Sequence, residues 1–304
     1  MMTRHTLTRS RRQTRLTRQV LMGSAIALSL NFSGAINPVF NPSTVQSQQA
    51  QAQQSQAAGW LSVQRLRGRV TYRGQQTRVA RLGDRLDQVG TGISTASRSA
   101  VNLALDNDIG SVNVAENTNL QVHTLAMRSD GARVTILDVP RGQVRLQVRR
   151  FTNPNSRLEV HTPSGVAAVR GTDFGVSVDE DGKTAVATLS GAVETSAQNQ
   201  SVMVNPGFVS VVRPGEAPSE PLPLDRELRF SVVDYGRMGR QISLVGDVDP
   251  ANTVVIEGQE ISISRRGRIN TQFKLQQRRN FVDIMVSNPL GETRRQRLWM
   301  HHAN

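Results

Sequence analysis

Residues 162–184 read TPSGVAAVRGTDFGVSVDEDGKT, and several very different folds compete for this stretch. It holds an Arg-Gly-Thr-Asp corner, an acidic turn closed by glycine, and a terminal Gly-Lys-Thr. A phosphate-binding loop needs Gly-x-x-x-x-Gly-Lys-[Ser/Thr] between a strand and a helix. Ser177 stands where its first glycine belongs, and the AVATLSGAV that follows is strand-like. A calcium loop needs further oxygen ligands and a Glu at the twelfth position, whereas this chain returns at once to strand sequence. Residues 179–182, DEDG, are therefore expected to close a two-strand hairpin. Lys183 is expected to be exposed there, so that Lys183→Ala changes stability by no more than about 0.5 kcal/mol.

Outward from this hairpin the period is two. Val144, Leu146 and Val148 alternate with Arg145, Gln147 and Arg149, and Val101, Leu103 and Leu105 alternate with Asn102, Ala104 and Asp106. Such alternation marks strands with one buried and one wet face. Turn residues such as Arg73-Gly74, Ser129-Asp130-Gly131 and Asn153-Pro154-Asn155 punctuate them at short intervals. Only Val79–Leu86 suggests a short helical turn. The fold class is all-β: a sandwich, barrel or solenoid.

The ends and the composition bound the function. Arg4, Arg9, Arg11, Arg12, Arg15 and Arg18 precede an apolar run over 20–30, and Ala50-Gln51-Ala52 offers a small-x-small site. That order is the layout of a secretory signal peptide, expected over 1–52, with a Gln/Ala-rich disordered segment over 53–59. The run is shorter than the roughly 18–20 residues of a membrane span, so no stable span is expected after cleavage. Six arginines leave with the leader, reducing the net charge of +13 to about +7. With 4% aromatics and singly spaced arginines, the chain lacks the basic stripes and stacking platforms of a nucleic-acid binder. There is no cysteine, which excludes disulfides and a thiol nucleophile. His123 and His161 sit in strand-like sequence without a nucleophile elbow or metal spacing, and His301-His302 belong to the tail. No catalytic, cofactor or metal set emerges.

Between Pro214 and Pro223 the sequence PGEAPSEPLP reads as a semi-stiff linker over 214–227. It separates a first β domain, 60–213, from a second, 228–304, and the two are expected to be loosely coupled. The second has strand signals and size suited to an immunoglobulin-like sandwich without a disulfide. In AAVRGTDFGV, small residues require close packing over their backbone. Arg170 is expected to be a buried brace paired with Asp173, next to Gly171, Thr172 and the apolar anchor Phe174.

The segment from His161 to Ala197, with Arg170-Gly171-Thr172, Phe174, the acidic hairpin and Ser190-Gly191-Ala192-Val193, resembles the FecR domain, as does RLGDRLDQVGTGISTASRSAVNLAL upstream. The second domain is similar to small Ig-like domains of secreted bacterial proteins, including the B domain of glucodextranase-type enzymes. The resemblance implies a non-enzymatic cell-envelope interaction or sensing module in the periplasm, with an envelope protein or cell-wall glycan as partner. Only about eighteen residues precede the apolar run, too few for the cytoplasmic anti-sigma region of signalling members. Two alternatives remain: an accessory protein of polysaccharide processing, and a membrane-anchored regulator if the apolar segment is not cleaved.

Overall fold

The computed structural model describes residues 59–106, 109–276 and 280–300. The expected signal peptide, nearly all of the Gln/Ala-rich segment and His301-His302 lie outside them. Every described element is a strand, and the described residues fall in one compact unit.

The first seventeen strands run in chain order from β1 (Leu61–Arg67), β2 (Val70–Arg73), β3 (Thr77–Val79) and β4 (Arg85–Leu86) to β5 (Gly92–Thr95) and β6 (Ala100–Leu105). Next come β7 (Gly110–Val114), β8 (Asn119–Met127), the long β9 (Arg133–Val148), β10 (Arg157–His161), β11 (Val166–Val169) and β12 (Asp173–Val178). Then follow β13 (Thr184–Ser190), β14 (Val193–Ala197), β15 (Gln200–Val204), β16 (Phe208–Val212) and β17 (Leu222–Pro223).

They form two layers. One has the order β4-β1-β6-β7-β9-β12-β13-β16-β17. The other has the order β3-β2-β5-β8-β9-β10-β11-β14-β15. Strand β9 belongs to both. Up to Arg141 it pairs with β8 and, in parallel, with β10; from Gly142 it pairs with β7 and β12. The sequence explains the switch, because Pro140 cannot donate to a ladder and a register shift flanks it. Val134, Leu137 and Val139 point inward before the corner, and Val144, Leu146 and Val148 after it. One core fills the space between the layers, with Leu61, Leu103, Leu137, Leu146 and Phe174 fully buried. Val79–Leu86 holds no helix. Its bend is fixed by Asp84, which accepts from Arg81 N and pairs with Arg78, both at 2.7 Å.

Over the span expected as the second domain, β18 (Ser231–Met238), β19 (Gln241–Asp247) and β22 (Arg268–Lys274) form a three-stranded sheet. A four-stranded sheet has the order β21 (Gln259–Ile261), β20 (Thr253–Ile256), β23 (Phe281–Ser287) and β24 (Thr293–Trp299). Ile242, Leu244, Val254, Ile269 and Ile284 share one core.

The expectation of a free spacer is overturned. Leu222 and Pro223 pair with Val209 and Phe208, and Leu224 N donates to Gly207 O at 2.8 Å. Proline is tolerated because β17 lies at a sheet edge. Ser219 further ties the segment down, its N–H bonding Val211 O at 2.9 Å. Leu224 joins Ala185, Ala187 and Val209 of the first layer and Ala251 and Leu290 of the second domain in one apolar cluster. The domains keep separate cores but share this cluster, and they are not loosely coupled.

Candidate functional site at the domain junction

The Arg170–Phe174 stretch carries the chain from β11 in one layer to β12 in the other. Arg170 is exposed, and among the described residues only its carbonyl is engaged, by Phe151 N at 2.9 Å. The buried brace with Asp173 does not form. Asp173 instead receives Arg145 Nε and Nη2, both at 2.9 Å, and Gln147 Nε2 at 3.1 Å. The reason is register: Asp173 lies opposite Gln147 on β9, and Arg145 is the next outward residue there. This fork of two hydrogen bonds raises the Arg145 pKa. Arg170→Ala is therefore expected to change stability by no more than about 0.5 kcal/mol, measured by urea unfolding. Gly171 has φ +141°, and a Cβ there would lie 2.3 Å from Arg150 Cα, so the close passage of the chain demands glycine. Thr172 is buried, and its Oγ1 donates to Ala192 O at 3.1 Å.

Beyond Phe174 the strand meets the second domain. A Cβ on Gly175 would sit 1.9 Å from Pro289 O, so only glycine lets the backbones approach this closely. The DEDG hairpin is present, β12 and β13 pairing in antiparallel register around Asp179–Lys183. Its lysine is not exposed. Lys183 retains 3% of its surface, because the turn lies beneath the loop 250–252. Its Nζ donates to Pro250 O at 3.1 Å and Asn252 O at 3.0 Å and lies 3.4 Å from Asp179 Oδ2. Burial pulls the Lys183 pKa down, and Asp179 opposes that shift.

Glu260, on β21, completes this contact. Burial, reinforced by Asp179 and Glu180, pushes its pKa up to about 7, while Arg141, 3.7 Å away, and Lys183 work against the shift. Below the ordinary value of 4.5 the group is protonated in both folded and unfolded chains. Between there and about 7 the folded chain holds the extra proton, so stability falls as pH rises and the loss is complete above that range. The expected loss is about 2–3 kcal/mol. Urea unfolding at a series of pH values should show this slope in the wild type and a flatter curve in Glu260→Gln. Equal slopes would mean that Glu260 is solvated.

The second domain covers only part of the outer face of the first layer, over β12, β13 and β16. Along its border runs a groove in three connected sections of about 740, 410 and 810 Å3. Its floor is formed by β6, β7 and the corner of β9, with Ala100, Asn102, Asn113 and Gln143; Leu290, Gly291 and Arg295 of the second domain form one wall. Gln143 Nε2 also donates to Asn288 O at 2.6 Å, fixing that wall to the floor. Arg98 and Asn117 line the groove with left-handed backbones, φ 57° and 53°. For arginine this conformation is uncommon and costs about 1–3 kcal/mol.

On the opposite layer, the rings of His123 and His161 lie 5.6 Å apart, each beside a carboxylate: Asp138 at 3.1 Å and Glu159 at 2.8 Å. Among the described residues no group of three or more acidic, His or Cys side chains is placed to hold a metal ion, and no helix is long and apolar enough to cross a membrane.

Residues 91–194 match the family model described as FecR protein. This span holds the β5–β14 part of the sandwich, including Arg170–Phe174, the hairpin and much of the groove floor. No curated protein matches the chain. Crystal structures of a candidate anti-sigma factor from Parabacteroides distasonis, at 2.50 and 1.65 Å resolution, align with 21% identity and a TM-score of 0.36. The alignment covers 43% of this chain and 57% of theirs, so the chain spans little more than half the length of those proteins. A polysaccharide lyase aligns at 9% identity and a TM-score of 0.19, covering 82% of this chain and 41% of that one.

Proposed function

We propose that this chain is a non-enzymatic sensing or interaction module of the cell envelope, exported by its N-terminal leader. Its first domain is of the FecR type and its second is an Ig-like sandwich docked against it. The match of residues 91–194 to the FecR family carries the reading. The solid junction supports it. A buried lysine, a shared apolar cluster and the backbone contact at Gly175 hold the two domains as one body, which suits a receptor that must present a fixed surface. A glycan hydrolase would need two carboxylates free to act as acid and base across a cleft. At this junction Asp179 is held by Lys183 and two backbone N–H groups and Glu180 by Arg141, which leaves Glu260, 3.7 Å from Arg141, without a second unpaired carboxylate among these three.

Capture from envelope extract with the full-length protein is the test. Retention of a defined envelope component, and an exported form whose N-terminus lies near Gln53, are the expected results. Turnover of an envelope glycan by the purified protein would overturn the reading, and a retained uncleaved leader would favour a membrane-anchored regulator.

A further inference from the structure

Six arginines lie along the junction groove, and they divide into two classes. Arg141 and Arg145 are engaged by Glu180 and Asp173. Among the described residues, the side chains of Arg65, Arg67, Arg98 and Arg295 have no carboxylate within ion-pair distance, and all four are exposed, although Glu116 accepts from the backbone N–H of Arg98. Glu180, Glu257, Glu260 and Asp283 gather in the 810 Å3 section, so the cationic stretch is confined to the other two. They come from three separate places in the chain: β1, the turn after β5, and β24 of the second domain. A bulge in β1 between Val63 and Arg65 shifts the strand by one residue, placing Arg65 and Arg67 on the outer face while Leu66 packs on the core. Arg98 holds its position at the expense of a left-handed backbone. Bulges and non-glycine left-handed residues concentrate where side chains must be aimed at a ligand.

The floor between them narrows the ligand class. Asn102 Nδ2 donates to Asn113 Oδ1 at 2.7 Å, forming an amide ladder across β6 and β7. The groove has no aromatic residue along any of its three sections. Neutral sugars commonly stack on aromatic faces, and peptide ligands need apolar or aromatic anchors in pockets. Guanidinium forks suit planar carboxylates, and exposed amides suit hydroxyl groups. A ligand carrying both groups along an extended chain is an acidic polysaccharide.

We propose that the 740 and 410 Å3 sections of the junction groove bind a carboxylate-bearing polysaccharide, with Arg65, Arg67, Arg98 and Arg295 on its carboxylates and the Asn102–Asn113 ladder on its hydroxyls. This inference rests on the reading of the chain as an envelope interaction module and names its partner class. Because Arg295 is supplied by the second domain, the site is complete only when the two domains are docked.

Titration calorimetry on the full-length protein tests it, with a galacturonate hexamer, the corresponding neutral galactose hexamer, and poly-glutamate of matched charge. The galacturonate is expected to bind, more weakly at higher salt, and the neutral oligomer not to bind. Reversing Arg65 and Arg67 together to Glu, or Arg295→Glu alone, should weaken binding roughly tenfold or more. Arg128→Glu, on the other layer, should change it less than about twofold. Arg98→Gly should weaken binding without lowering the unfolding midpoint, because glycine accepts the left-handed backbone. Equal loss in Arg128→Glu would reduce the effect to general charge attraction and overturn the proposal, as would equal binding of the neutral oligomer. Tighter binding of poly-glutamate would assign the groove to an acidic protein. An absence of galacturonate binding alongside successful envelope capture would overturn this inference and leave the envelope reading standing.

Discussion

Lys183→Ala is expected to cost about 3–5 kcal/mol, the range seen when one partner of a buried ion pair is removed. In an exposed hairpin the same change would be nearly silent. The ammonium satisfies the carbonyls of Pro250 and Asn252 and faces Asp179, all in a region closed to solvent. Removing it leaves two buried acceptors without a donor, each costing about 1–3 kcal/mol, and an acid that keeps only its two backbone N–H bonds. Lys183→Met, which preserves most of the volume, should recover only the packing part. Urea unfolding of the full-length protein measures the loss. Limited proteolysis locates it, since cleavage within 214–227 should begin at lower urea in the variant than in the wild type. A midpoint shift equivalent to less than about 0.5 kcal/mol would show that the ammonium is solvated.

Phe174→Ala is expected to destabilise by a similar amount, about 3–5 kcal/mol, for a different reason. Phe174 is fully buried between the layers, next to the switch strand β9, where it pairs with Leu146. Truncation leaves a cavity that strands from both layers cannot close without breaking ladder hydrogen bonds. This loss is a large share of a typical 5–15 kcal/mol. It belongs to the first domain itself, so the 214–227 segment should stay protected until global unfolding. Early cleavage there in Phe174→Ala would show that the aromatic ring supports the junction instead.

Much of the fold was legible because period-two burial is local. Val101, Leu103 and Leu105 are buried as their alternation implies, and so are Val144, Leu146 and Val148. The Asp-Gly turn was legible for the same reason. Apart from the helical turn expected over Val79–Leu86, where the local contacts of Asp84 set a bend instead, the failures concern partners distant in sequence. Arg170 looked like the mate of Asp173 because it is three residues away, yet the true mate, Arg145, arrives through the β9–β12 register. Lys183 looked exposed because a turn residue ordinarily is; its burial depends on a loop that follows 67 and 69 residues later. The proline-rich stretch looked free because prolines weaken a ladder, but an edge position needs hydrogen bonds only from the residues between them. The groove arginines had no local signal at all, since β1, the turn at Arg98 and β24 meet only after both domains have folded.

The placement of Lys183 also bears on the order in which the protein is completed. A first domain folded without residues 250–252 would keep the Lys183 ammonium hydrated, because both of its carbonyl partners would be missing. Its desolvation waits for the last segments to arrive. Docking of the second domain thus desolvates the ammonium and covers the apolar cluster together. A chain released early presents a wet ammonium and an uncovered apolar patch at Ala185, Ala187 and Val209, the kind of surface that chaperones and proteases recognise. The full-length chain hides both in one step.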